Sequence, residues 1–150
     1  MKVSELAAQG VAITVKLRGF EFTYRPLPSA VSSEIDAAFA GERPTVPLKP
    51  HPMAGSADYS KYQRDPYDAD YSVKADRYAS RVSAAKLAVS FGIESDDGRT
   101  YETVPEPHRS AWLKEVATKM CAAISDEEIG GVIDRITKAV RAVSTDVAGN

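Results

Sequence analysis

Between residues 11 and 25 the side chains alternate in character without a break, and this limits what the chain can fold into more than any other feature. Val11, Ile13, Val15 and Leu17 share one parity, and Ala12, Thr14, Lys16 and Arg18 share the other. Phe20, Phe22 and Tyr24 then repeat the pattern against Glu21, Thr23 and Arg25. A period of two is that of a strand with one face buried. Reading Arg18-Gly19 as a two-residue turn, with Gly19 at positive φ, fixes the register. Leu17 then lies opposite Phe20, Val15 opposite Phe22 and Ile13 opposite Tyr24, while Lys16 meets Glu21 and Thr14 meets Thr23 on the wet face. Each such pair contributes roughly 0.2 to 1 kcal/mol, and a slip of one residue would turn every side chain to the wrong face. A lone hairpin is marginal in water, so helices or further strands must cover its apolar side. Its outer edges are left able to accept another strand.

The strand ends for a backbone reason. Pro26 and Pro28 lack N–H donors and hold Arg25 and Leu27 extended. Ser29 is then the expected N-cap of a short helix over 29–40, with Val31, Ile35, Ala38 and Phe39 at helical spacing and Gly41 as its stop. From residue 42 to 69 the composition changes, with Pro44, Pro47, Pro50, Pro52 and Pro66 among Tyr59, Tyr62 and Tyr67. Spaced prolines exclude a continuous helix and predict a long extended arm or loop. Two readings remain open for it: a solvated insert, or an arm ordered by a partner through its tyrosines and Met53.

The second half reads as helical over 70–143. The stripe Tyr71, Val73, Tyr78, Val82, Ala85 and Val89, widened by Leu87 and Phe91, has Asp70 as expected cap and Gly92 as expected end. Ala79, Ala84, Ala85 and Ala88 would let a neighbour approach closely. Asp97-Gly98 suggests a small hairpin between Ile93 and Tyr101, and Pro105 and Pro107 precede a stripe of Trp112, Leu113, Val116, Met120, Cys121 and Ile124. Ser125 and Glu128 form a capping box ahead of Ile129, Val132, Ile133, Ile136, Val140 and Val143, and residues 144–150 are expected to fray. The fold class expected is therefore α+β: one domain over 1–150, with an N-terminal antiparallel hairpin packed on a mainly helical C-terminal part and a long Pro/Tyr-rich arm between.

Little in the chain advertises chemistry. His51 and His108 have no Cys, Asp or second His at ligand spacing, so no metal and no cofactor is expected. Cys121, the single cysteine, sits on an apolar stripe and reads as a buried structural thiol that cannot form an internal disulfide. Asp96-Asp97-Gly98 lacks the alternating oxygen ligands of a calcium loop, and Gly130-Gly131 falls inside a helix pattern, away from any strand-to-helix phosphate cradle. Lys114, Lys119, Arg135, Lys138 and Arg141 read as exposed helix faces, and a net charge of -2 implies no nucleic-acid track. The opening MKVSELAAQG does not read as a signal segment and no apolar run approaches a bilayer span, so a soluble protein made in a reducing cytoplasm is expected.

With no catalytic residue expected, the candidate partner-binding residues are Phe22 and Tyr24 on the hairpin and Tyr59, Tyr62 and Tyr67 on the arm. Core packing competes as the role of the first two. The run ITVKLRGFEFTYRPL, followed at once by a helix and a helical remainder, resembles the tail assembly chaperones of long-tailed bacteriophages, chiefly over residues 11–40. That resemblance implies a non-enzymatic protein of the host cytoplasm that coats the tape-measure protein, forms homo-oligomers and helps tail-tube subunits assemble, without nucleic acid or membrane. The same features suit a permanent tail, baseplate or neck component of the virion, or a bacterial regulatory binding module.

Overall fold

A computed structural model describes residues 13–53 and 61–148, the last six of these as backbone. Strands β1 (Ile13–Leu17) and β2 (Phe20–Tyr24) form the antiparallel hairpin in the expected register, from Ile13 opposite Tyr24 to Leu17 opposite Phe20. Val11 and Ala12, which the sequence assigns to the first strand, lie outside the described residues. Both turn residues take positive φ, 54° at Arg18 and 83° at Gly19, the combination that matches the twist of the flanking strands. Val15 and Leu17 are buried on the apolar face, and Lys16 and Glu21 pair at 3.8 Å on the other.

Four helices follow: α1 (Ser29–Phe39), α2 (Ala69–Phe91), α3 (Glu106–Ala123) and α4 (Asp126–Ala148). The core lies where the first three meet. Ile35 and Phe39 of α1, Ala84, Ala85 and Ala88 of α2, and Leu113 and Ala117 of α3 are each fully buried. Trp112 is 1% exposed in the same cluster, and Ile129, Val132 and Ile136 of α4 close it against β1. Burial in α2 is concentrated at Ala84, Ala85, Leu87 and Ala88 in its second half; of the other residues predicted to pack, Val73 and Ala79 are exposed and Tyr71, Tyr78 and Val82 are half-buried. Small side chains let helix axes approach, so the closest crossings select them. The expected α+β class is seen, with a two-stranded hairpin on a mainly helical body.

Several helix ends differ from expectation, each for a local reason. Pro28, not Ser29, precedes the first turn of α1, because its carbonyl already accepts from Val31 and Ser32 N–H at 3.0 Å. Gly41 does not stop that helix; the chain tightens into a 3-10 turn over Ala40–Glu42, where Arg81 donates to the Glu42 carboxylate at 2.8 and 3.4 Å. The cap of α2 is Asp68, whose side chain accepts from Tyr71 N–H at 2.9 Å, while Asp70 sits in the first turn beside the positive end of the dipole. Gly92 does end α2, at φ 66°, with Ile93 N–H returning to Ala88 O at 2.9 Å. Pro107 lies within the first turn of α3 instead of before it. Ser125 accepts from Glu128 N–H at 3.2 Å, as the capping box requires.

The expected hairpin around Asp97-Gly98 is only a turn. Gly98 takes φ 81°, and Ser95 and Arg99 are joined at 2.8 Å, but the Ser95 hydroxyl then engages Asp97 and the Arg99 backbone, and no ladder continues. The described parts of the 42–69 stretch, 42–53 and 61–69, also depart from an extended arm. Strands β3 (Leu48–Pro50) and β4 (Tyr62–Arg64) pair antiparallel, and the ladder is prolonged by His51 N–H to Lys61 O at 2.9 Å and Asp65 N–H to Pro47 O at 2.8 Å. These bonds fall at positions 47, 51, 61 and 65, so Pro50 occupies a position from which no N–H is required.

A polar clasp ties α1 to the segment before α3. The Tyr101 hydroxyl donates to the Glu34 carboxylate, Arg109 lies 4.8 Å above the Tyr101 ring, and the Arg109 guanidinium reaches Glu34 at 3.5 Å. Burial first, and then the hydrogen bond to Glu34, push the phenol up to about 12. A raised value favours the protonated phenol in the folded state. Its contribution is therefore complete below the ordinary tyrosine value of about 10 and is lost as pH climbs through the folded value. Tyr101→Phe is expected to cost about 1 kcal/mol at pH 7 and to flatten the fall in stability between pH 10 and 12. Urea unfolding of both proteins across that range checks this, and an equally steep fall in the variant would refute the clasp.

Candidate binding surface

At the tip of the first hairpin the apolar face runs out of cover. Leu17 is buried, Phe22 is half-buried, and Phe20, the residue straight after the turn, is 69% exposed. Beside them Val116 and Met120 of α3 and Ile93 and Ile124 complete an open apolar groove of about 320 Å³. Arg18, Glu94, Asp96 and Lys119 also line it. Three of these charges are committed within the protein. Lys119 holds Asp96 at 2.6 Å and Glu115 at 3.3 Å, and Arg18 reaches across to α4. Glu94 makes no ion pair among the described residues.

The Arg18 contact holds the groove in shape. Its guanidinium meets the Glu128 carboxylate through two hydrogen bonds, 2.9 Å from Nε and 2.7 Å from NH2, joining residues 110 apart in sequence. The fork geometry gives such a pair direction as well as attraction. Glu128 is held below the usual carboxylate range, foremost by Arg18 and further by the Ser125 backbone and hydroxyl. One side chain thus serves the capping box and the hairpin together.

The candidate residues named from sequence fall into separate places. Phe22 stacks on Phe91 of α2 at 5.0 Å and 15°, and Tyr24 meets the same ring edge-on at 6.4 Å, so both anchor the hairpin to the body. Tyr62 lies on β4 with 56% exposure, and Tyr67 just beyond it is 88% exposed, its N–H on Asp65. Tyr59 lies outside the described residues. The hairpin pair and the tyrosines of the second hairpin therefore do not form one site. Sequence reasoning missed Phe20 and Met120; the available signal was that an apolar residue next to a tight turn lies past the reach of the helices beneath.

The remaining candidates are chemically quiet. Cys121 is half-buried, less covered than expected, and burial followed by the Asp126 charge raises its thiol, opposite to what a nucleophile needs. His51 accepts from Met53 N–H at 2.9 Å, and His108 is exposed in the first turn of α3. Among the described residues no three His, Cys, Asp or Glu side chains gather as a metal site, and no helix is long and apolar enough to cross a membrane.

Because its folded value is depressed, the Glu128 carboxylate stabilises the protein above the ordinary carboxylate range and ceases to do so as pH falls through the folded value. Glu128→Gln at neutral pH should accelerate amide exchange in the hairpin tip, Leu17 to Phe20, while leaving the α2–α3 core unchanged. Hydrogen exchange by NMR reads both, and unaltered tip protection would mean that the clamp holds nothing. Comparison of the chain with protein-family models, with curated proteins and with solved structures returns no match.

Proposed function

We propose that this chain is a non-enzymatic assembly protein whose hairpin-tip groove seats an apolar helix of a partner. The observation that carries this reading is the groove itself: Leu17, Phe22, Val116 and Met120 line an open apolar surface with Phe20 exposed beside it. Large exposed aromatics beside an apolar cleft are what helix-in-groove recognition uses. The resemblance over residues 11–40 supplies the class of partner, a long helical tape-measure protein together with tail-tube subunits, and so a tail assembly chaperone acting in the infected cell. A second reading, a permanent tail, baseplate or neck component, is favoured by a different feature. Leu48, Met53 and Tyr62 are all exposed on the second hairpin, a surface suited to lying across a neighbouring subunit.

A photo-reactive phenylalanine analogue at position 20 tests the reading in producing cells. The expected outcome is a covalent adduct with a helical tail protein in lysate and loss of this chain from finished particles. Phe20→Ser should reduce capture of that protein about tenfold while moving the melting temperature little, since the ring is mostly solvated. Stoichiometric retention in particles would establish the second reading, and the absence of any adduct would remove the groove as the site.

A further inference from the structure

The outer edge of β2 has properties that the groove at the hairpin tip does not use. In a two-residue hairpin the pairs Leu17/Phe20, Val15/Phe22 and Ile13/Tyr24 exchange the inner hydrogen bonds. The N–H and C=O groups of Glu21 and Thr23 must therefore point away from β1. No backbone bond from these residues to another described segment is present. Arg25, held extended by Pro26, continues the same row and makes no ion pair among the described residues. Alongside runs an open groove of about 610 Å³, lined by Glu21, Thr23 and Arg25 from the strand and by Phe91, Tyr101 and Glu102 from beyond it. Within the strand the ladder is unbroken by a bulge or a proline, and the charged side chains along this edge, Glu21 and Arg25, are of opposite sign.

We propose that β2 pairs with β2 of a second copy of this chain, antiparallel about a two-fold axis through Thr23, so that two hairpins join as one four-stranded sheet. Charge complementarity selects both this occupant and this register. With Thr23 opposite itself, Glu21 lies opposite Arg25 of the second copy, and Arg25 opposite its Glu21. Lys16, already paired with Glu21 at 3.8 Å, extends each row into alternating charges across the sheet. Thr14, which faces Thr23 within the hairpin, completes a threonine row over all four strands. On the other face Phe22 meets Tyr24 of the second copy, ring against ring. Residues 21, 23 and 25 are the ones whose backbone groups are free, so the pattern of open donors and the pattern of charges agree on the same alignment. Pro26 ends the ladder in both copies. The symmetry is that of an isologous dimer, closed and self-complementary.

Sedimentation equilibrium over a range of protein concentrations tests the pairing. The wild-type chain is expected to dimerise reversibly. Arg25→Glu, which sets like charges opposite each other twice, should weaken the dimer about tenfold or more. The double variant Glu21→Arg/Arg25→Glu should recover association relative to the single one. Thr23→Pro, at a position whose N–H faces outward, should block pairing while circular dichroism and Trp112 fluorescence stay native. A monomer at every soluble concentration would overturn the proposal, as would a dimer indifferent to Arg25→Glu and Thr23→Pro or a double variant no better than the single.

Discussion

Close packing on the alanine edge of α2 is the constraint from which the remainder of the fold follows. Ala84, Ala85 and Ala88 are fully buried, and against them sit Ile35, Phe39, Trp112 and Leu113, also almost without exposure. A larger side chain at any of these alanines would push α1 or α3 outward, and overpacking of that kind costs about 1 to 3 kcal/mol. The crossing also orients the polar clasps around it. Arg81 lies 5.5 Å above the Phe39 ring while binding Glu42 and the Thr118 hydroxyl, so one guanidinium from the middle of α2 links the end of α1 to α3. Arg109, Glu34 and Tyr101 do the same on the segment entering α3.

The first hairpin is fastened to this body at two levels. Phe91, the last residue of α2, receives both Phe22 and Tyr24, which fixes the base of the hairpin. Arg18 and Glu128 fix its tip to the start of α4. Between these two fastenings the apolar face is only partly covered, and the groove with Phe20 beside it is the result. The binding surface is thus a by-product of anchoring a short sheet on helices that do not extend under its turn.

How much of this was legible in the sequence depended on the range of the interaction. The register of β1 and β2 could be read in full, because alternation on both faces and a two-residue turn specify the same alignment. The end of α2 at Gly92 and the box at Ser125 and Glu128 are local signals and were found. The cap at Asp68 and the turn after Phe39 were misread, since neighbouring residues offered equally good local chemistry and the choice was made by Tyr71 N–H in one case and by Arg81 in the other. The ladder of β3 and β4 was hidden behind its prolines, which suggest an extended arm until the alternate bonding positions are known. The groove was invisible because its lining comes from β1, β2, α3 and the segments following α2 and α3, which no spacing rule brings together.

Arg18 shows how a local disadvantage can carry long-range information. Its φ of 54° belongs to a region that branched-chain and long side chains enter at a cost of about 1 to 2 kcal/mol, and asparagine or glycine would suit the turn better. Neither of those short residues, however, could span from this turn to the Glu128 carboxylate on α4 as Arg18 does. The hairpin is consequently less self-sufficient than its pattern implies, and its best turn conformation is rewarded only once α4 has formed beside it. Assembly of the domain is made cooperative at this point: the first hairpin and the last helix report on each other, although 110 positions of sequence separate Arg18 from Glu128.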